Sequence, residues 1–147
     1  MNEKSLNTLE YYKIIERVSY FASSSVGKEK VLQLRPVKDI NAVRELQKET
    51  SEAVSMILKK GSLKIGGLRN IEPYLKRVSI AGSLNMEELL NIADFLNSCK
   101  RAKDYSKSEN KNDIFELLDP KFQLIETIET LNKDITRCII SDTEMSD

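Results

Sequence analysis

The sequence predicts an all-α fold, an irregular bundle of six or seven helices that ends in a short extended tail. Apolar residues recur at three- and four-residue steps, capping residues precede those stretches, and no hairpin pattern occurs before the last residues. The 147 residues, 40% hydrophobic and 31% charged, suffice for one domain with a core. We therefore predict a helical domain over residues 1–135 and an extended tail over 136–147.

The first two helices are predicted from capping residues and a proline. Thr8 can cap a helix that carries apolar positions through residues 9–21. The stretch ASSSVGKEK interrupts it, and Ser24 or Ser25 can cap a second helix that ends before Pro36.

The third helix has the strongest pattern in the chain. Asp39 is its predicted cap, and Gly61 is its predicted left-handed end. One face carries mainly apolar residues, which we expect to form core: Ile40, Val43, Leu46, Thr50, Ala53, Val54 and Ile57.

In the second half of the chain, the sequence predicts one short helix and then one longer helix with a clear capping signal. A short helix is predicted over residues 71–78, with Pro73 in its first turn. Asn85 and Glu88 have the spacing of a capping box. The helix that they begin carries a core stripe of Leu89, Ile92, Ala93, Leu96 and Cys99.

The rest of the chain is less regular. Residues 104–113 are polar and predict a loop, followed by two short helices over 114–118 and 122–132. The last residues are β-branched and then acidic, which is the basis for the predicted tail.

Composition excludes several kinds of chemistry. The chain has no histidine, so Ser-His-Asp and Cys-His nucleophile systems are excluded, and its two cysteines are too few for an ordinary zinc site. Lys+Arg and Asp+Glu number 23 each, whereas a domain built to bind nucleic acid is usually basic. The polar start and the lack of a long apolar run predict a cytoplasmic protein without a membrane partner. We predict no catalytic, cofactor-binding or metal-binding residue.

A pair of glycines in KIGGLRNIEPYLKRV raises the question of phosphate binding. A phosphate-binding loop needs a strand before it and Lys-Ser/Thr after its last glycine, and both are missing here. We predict instead a structural turn formed by Gly66, Gly67, Arg69 and Asn70. If Gly67 has positive φ, Gly67→Val should destabilise the fold.

Five basic residues are candidate contacts to nucleic-acid phosphates: Lys76, Arg77, Lys100, Arg101 and Lys103. They lie toward the ends of two predicted helices, where the helix dipole also favours cations. Two interpretations therefore stay open, a solvated helix end and a weak phosphate-binding patch.

Several segments together resemble the start of the bacterial MutS-two family, the MutS paralogues that carry a C-terminal Smr nuclease domain. They are TLEYYKIIERVSYFASSSVGKEKVLQLRP, VRELQKETSEAVSMI, GGLRNIEPYLKRVSIAGSLNMEELLNIADFL and IISDTEMSD, in this order. The glycine pair followed by LRNI is the most specific part. Asn70 stands where an Asp is usual, and Asn85-Met86 where Ser-Pro is usual.

The resemblance implies a MutS-type core domain at the base of lever helices that are absent from this chain. The parent would be a homodimeric, DNA-binding ATPase and endonuclease that uses ATP and magnesium. Such proteins bind branched DNA, restrain recombination and are implicated in rescuing collided ribosomes. The catalytic residues would lie beyond Asp147, so this chain would be inactive alone. Its partners would be the levers, the clamp and the ATPase of the parent.

A second class of function stays open from the residues alone. The chain could be a stand-alone helical module that binds nucleic acid or protein, as the basic helix ends suggest. Salt-sensitive binding that falls when Lys100, Arg101 and Lys103 are neutralised would favour it.

Overall fold

Helices dominate the described part of the chain, which in this computed structural model comprises residues 3–65, 68–107 and 113–139. The predicted all-α class is confirmed. The helices are α1 (Glu3–Thr8), α2 (Tyr11–Ser19), α3 (Ser25–Leu32), α4 (Ile40–Lys60), α5 (Glu72–Ser79), α6 (Met86–Ser106), α7 (Asp119–Gln123) and α8 (Glu129–Cys138). None of these helices is long and apolar enough to cross a membrane.

The chain divides into two compact units. The first unit contains Met1–Leu63 and Ser108–Lys121, and the second contains Lys64–Lys107 and Phe122–Asp147. Both units are therefore discontinuous in sequence. The domain predicted over residues 1–135 stays a prediction.

The prediction that Thr8 caps the first helix is wrong. This residue ends α1, and its hydroxyl donates to the carbonyl of Lys4 at 2.9 Å, so it does not cap α2. Glu10 precedes α2 in the left-handed conformation, with φ 52° and ψ 31°. The predicted cap of the next helix is confirmed, because Ser24 Oγ accepts from the amide of Gly27 at 3.0 Å.

The bounds of α4 follow the sequence signals. Asp39 Oδ1 accepts from the amide of Ala42 at 2.8 Å, which confirms the cap. Gly61 ends the helix with φ 77°, as expected for a residue without a side chain, although its ψ of 179° lies outside the left-handed helical region. Its amide still donates to the carbonyl of Ile57 at 2.8 Å.

The prediction that the apolar face of α4 is core is wrong. Leu46, Val54 and Ile57 are 49%, 53% and 48% exposed, whereas Met56 on the other side of the helix is 2% exposed. The physical reason is that residues 113–121 cover the opposite side.

Glu52 binds this covering segment to α4. Its Oε2 accepts from the amides of Leu117 and Leu118 at 2.9 and 3.2 Å. These amides therefore bond to a side chain instead of to helical carbonyls. The helix predicted over 114–118 is wrong for this reason, since residues 116–118 form a turn and α7 begins afterwards.

Two ion pairs and one aromatic ring extend the same contact. Lys59 Nζ lies 2.6 Å from Asp113 Oδ1, and Lys121 Nζ lies 2.5 Å from Glu49 Oε1. Between them the ring of Phe115 is 3% exposed, with Lys59 Nζ at 5.6 Å from its centroid. Residues 113–121 thus supply much of the packing for the far side of α4.

The core of the second unit lies between α6 and α8. Its buried residues are Ile92, Ala93, Leu96, Ile135 and Ile139. Three of them, Ile92, Ala93 and Leu96, come from the stripe predicted on α6, so this part of the core prediction is confirmed.

The N-terminus of α6 has the predicted capping box. Asn85 Oδ1 accepts from the amide of Glu88 at 2.8 Å, and Glu88 Oε2 accepts from the amide of Asn85 at 3.1 Å.

The C-terminal end of α6 lies beyond the predicted one. The loop predicted over 104–113 is wrong for its first residues, because α6 continues to Ser106. Ser98, Ala102 and Ser106 are 0%, 8% and 4% exposed, and their four-residue spacing continues the buried face. Residues 108–112 lie outside the described residues.

The last two helices also differ from the prediction. In place of one helix over 122–132, α7 ends at Gln123 and α8 begins at Glu129. The predicted tail over 136–147 is wrong for residues 136–138, which belong to α8. The amide of Ile139 still bonds to the carbonyl of Ile135 at 3.0 Å, and both side chains are buried in the core. Ile139 itself is extended, and residues 140–147 lie outside the described residues.

We expect Leu96→Ala to lower the free energy of unfolding by about 2–5 kcal/mol, because it removes a buried side chain from the α6 core. The matched control Leu46→Ala removes a half-exposed leucine and should cost about 1 kcal/mol or less. Urea unfolding followed by circular dichroism measures both. Equal losses would contradict the assignment of the core.

We expect Gly82→Ala to cost about 1–3 kcal/mol through steric overlap. A Cβ at this position would lie 2.6 Å from Arg77 Cγ and 2.9 Å from the Arg77 carbonyl oxygen. The control Ser83→Ala changes an exposed neighbour and should leave the urea midpoint unchanged. An unchanged urea midpoint in Gly82→Ala would show that the link between α5 and α6 tolerates a Cβ at this position.

Candidate nucleic-acid interface

The five candidate basic residues lie on two helices of the second unit. Lys76 and Arg77 are in the last turn of α5, and the other three are in the second half of α6. Each one contacts a partner within the unit. Their contacts bear on the two interpretations that the sequence leaves open, a solvated helix end and a weak phosphate-binding patch.

Arg77 contacts a buried carboxylate, that of Glu88. Its Nη1 lies 2.7 and 2.9 Å from the two carboxylate oxygens of Glu88, which is 9% exposed. The same carboxylate accepts the amide of Asn85 in the capping box. Arg77 thus ties the end of α5 to the start of α6, and a phosphate could bind it only in competition with Glu88.

Two of the lysines form exposed ion pairs. Lys76 Nζ lies 2.7 Å from Glu72 Oε1 within α5, and Lys100 Nζ lies 3.0 Å from Glu129 Oε1 at the start of α8. Hydrogen bonds from these lysines, together with their charge, lower the pKa values of Glu72 and Glu129 below the ordinary value. Both carboxylates are therefore ionised at neutral pH, and each holds its lysine.

The remaining two basic residues bond to neutral oxygens. Arg101 Nη2 donates to Oγ of the buried Ser98 at 2.8 Å. Lys103 Nζ donates to the backbone carbonyl of Ile125 at 2.8 Å, between α7 and α8. Lys100 and Lys103 thus each connect α6 to a segment more than twenty residues away, which supports a structural role.

The predicted structural turn is described only in part. Gly66 and Gly67, and with them the expected effect of Gly67→Val, lie outside the described residues. Asn70 Oδ1 accepts from the amide of Glu72 at 3.0 Å, so it serves the first turn of α5. Arg69 Nη1 lies 3.9 Å from Glu87 Oε1, a long and exposed ion pair.

Sequence analysis missed one basic pair, Arg44 and Lys48, which are one turn apart on α4. They line an open cleft together with Asn41, Glu45 and Leu117. Within residues 3–65, 68–107 and 113–139, neither side chain forms an ion pair. The four-residue spacing was the available signal, but charge at this spacing is common on any solvated helix.

Two observations concern metal-ligating and thiol side chains in the described part of the chain. Among them no group of three or more Asp, Glu or Cys side chains could hold a metal ion. Burial raises the pKa of the Cys99 thiol, which disfavours the reactive thiolate form.

Known proteins resemble this chain along its full length. It is 40% identical over 152 residues to Endonuclease MutS2 of Lachnoclostridium phytofermentans, and 35% identical over 147 residues to that of Alkaliphilus oremlandii. Endonuclease MutS2 of Clostridioides difficile is 36% identical over 148 residues. In each case the whole chain is covered, and it spans 19% of the relative's length.

No protein-family model matches the chain. The resemblance predicted from the sequence is nevertheless confirmed by these relatives, and along its full length the chain corresponds to the amino-terminal region of the MutS2 family.

Proposed function

We propose that this chain is the non-catalytic helical core of a MutS-type protein, and that it transmits ATP-dependent movement from the ATPase to the clamp. The observation that carries the proposal is the match of the whole chain to about a fifth of Endonuclease MutS2 proteins. The sequence lacks histidine altogether, and its one glycine-rich stretch lacks the residues that a phosphate-binding loop needs.

The packing of the second unit supports a mechanical role. Transmission of movement requires elements that pack into discrete arrangements. The α5–α6 junction has this character, because Arg77, Glu88 and Asn85 form a closed set of hydrogen bonds at one helix start. The α6–α8 core continues from this junction.

The activities of the parent belong to the same proposal. The parent is a cytoplasmic homodimer with an ATPase that uses ATP and magnesium, and with an endonuclease domain outside this chain. It binds branched DNA, restrains recombination and rescues collided ribosomes. The name Endonuclease MutS2 of the relatives supports the nuclease and the MutS relationship.

The alternative of a stand-alone module that binds nucleic acid or protein has less support. It rested on the five basic residues, and each of these has a partner inside the unit. Binding to a phosphate would require such contacts to break.

In the full-length parent, we expect Glu88→Gln to weaken the stimulation of ATP hydrolysis by branched DNA several-fold while basal hydrolysis stays unchanged. The substitution removes the charge that holds Arg77 at the α5–α6 junction. The control Glu87→Gln changes the adjacent exposed carboxylate and should behave as the unmodified protein. Unchanged stimulation in Glu88→Gln would contradict the coupling role.

We expect the triple variant Lys100→Gln, Arg101→Gln and Lys103→Gln to be less stable by about 1–3 kcal/mol, because charged hydrogen bonds within the unit are lost. The control triple Arg17→Gln, Lys30→Gln and Lys38→Gln makes the same charge change on the first unit. Fluorescence anisotropy with branched DNA at low salt should give equal affinities for both triples. A selective loss of affinity in the first triple would favour the nucleic-acid module.

A further inference from the structure

The link between α5 and α6 contains a strained alanine. Ala81 has φ 61°, in the left-handed region that glycine adopts more readily than a residue with a side chain. Glu10 is the other non-glycine residue with positive φ among those that the structure describes. Such a conformation persists where the surrounding contacts fix the backbone, so the contacts around Ala81 show what holds it.

The hydrogen bonds that end α5 place Ala81 where helices usually have glycine. The amide of Ala81 donates to the carbonyl of Val78, and the amide of Gly82 donates to the carbonyl of Arg77, both at 2.9 Å. This pair of bonds is a Schellman motif, whose left-handed residue is the second one after the helix. Here that residue is alanine, and the glycine follows one position later.

Arg77 contacts both ends of this link. A Cβ on Gly82 would lie 2.6 Å from Arg77 Cγ, so the stem of the arginine side chain lies directly against the link. At the other end, Nη1 of Arg77 bonds to both carboxylate oxygens of Glu88, one of which also accepts from the amide of Asn85. The ion pair therefore closes over the segment that contains Ala81.

The two ends of α5 are held differently. At its start, Ile71 and Tyr74 pack against the α6–α8 core, and the Tyr74 hydroxyl accepts from Asn91 at 3.3 Å. Toward its end, Val78 is about half exposed and Ile80 is 80% exposed. Since these apolar side chains are not buried, the contact of Arg77 with Glu88 is what ties the end of α5 to α6.

The strain and the ion pair act in opposite directions. Rotation of Ala81 to negative φ would relieve the strain, but it would break the bond of the Gly82 amide and turn the end of α5 away from Glu88. The ion pair opposes this rotation, because a carboxylate that is 9% exposed is unfavourable without a charged partner. The closed and open arrangements thus each have one favourable contribution that the other lacks.

We propose that the α5–α6 link is a hinge, which the strain at Ala81 drives toward opening and the Arg77–Glu88 ion pair holds closed. Opening rotates Ala81 to negative φ, frees the amide of Gly82 and releases the end of α5, while the start of α5 stays on the core. The role of this hinge in the parent rests on the proposed function, because a core that transmits movement needs an element with two positions.

Nuclear magnetic resonance of the 147-residue chain tests the hinge in Glu88→Gln. Glutamine can still cap α6 but lacks the charge that holds Arg77. We expect the carbon chemical shifts of Ala81 to move from left-handed values toward those of negative φ, and the Gly82 amide to exchange with solvent about tenfold faster. The control Glu87→Gln changes the adjacent exposed carboxylate and should alter neither measurement.

Ala81→Gly tests the contribution of strain. Because glycine adopts positive φ readily, this change in the Glu88→Gln background should slow exchange of the Gly82 amide about fivefold. In the otherwise unmodified chain it should raise the folding equilibrium constant about fivefold, or about 1 kcal/mol, in urea unfolding. The second measurement does not require that Glu88→Gln folds. The control Ser83→Gly adds glycine at an exposed residue of the same link without positive φ, and should do neither.

Two results would overturn the hinge. One is a folded Glu88→Gln chain in which Ala81 keeps left-handed chemical shifts and exchange at Gly82 is unchanged. The other is an Ala81→Gly chain whose stability and Gly82 exchange match those of Ser83→Gly.

These results are distinguishable from failure of the proposed function. Rotation of Ala81 in the Glu88→Gln chain, alongside normal ATPase coupling in the Glu88→Gln parent, would keep the hinge and remove its mechanical role. Impaired coupling without rotation of Ala81 would remove the hinge and keep a role of the junction in coupling.

Discussion

The buried carboxylate of Glu88 is the constraint on which the second unit depends. It caps α6 by accepting the amide of Asn85, and it also binds Arg77 at the end of α5. A carboxylate that is 9% exposed would be costly without such partners. Because all its partners lie at one helix junction, the start of α6 is fixed in position and direction. The core stripe from Ile92 to Leu96 then meets α8.

The first unit is organised by α4, whose covered side combines the buried Met56 with polar contacts and whose other side exposes apolar residues. Glu49, Glu52 and Lys59 bind residues 113–121 through charge and backbone hydrogen bonds. Leu46 and Ile57 meanwhile stay about half exposed. The specific polar contacts on the covered side thus hold α4 in the unit although part of its apolar surface stays exposed.

Local signals in the sequence predicted much of the fold, and long-range contacts account for the errors. The caps Ser24, Asp39 and Asn85 could be predicted because each satisfies a backbone amide three residues away. Periodicity found the apolar face of α4 but could not show which face the chain covers. The partners of the candidate basic residues were also hidden, because Lys103 bonds to a carbonyl twenty-two residues further along.

The discontinuity of the two units has a consequence for synthesis on the ribosome. Phe115 and the turn bound by Glu52 belong to the first unit but follow Lys107, the end of the first segment of the second unit. A nascent chain that has emerged only to Lys107 holds α4 with its polar side uncovered. The first unit can complete its packing only after Lys121 has left the exit tunnel, and the second only after α8 has followed.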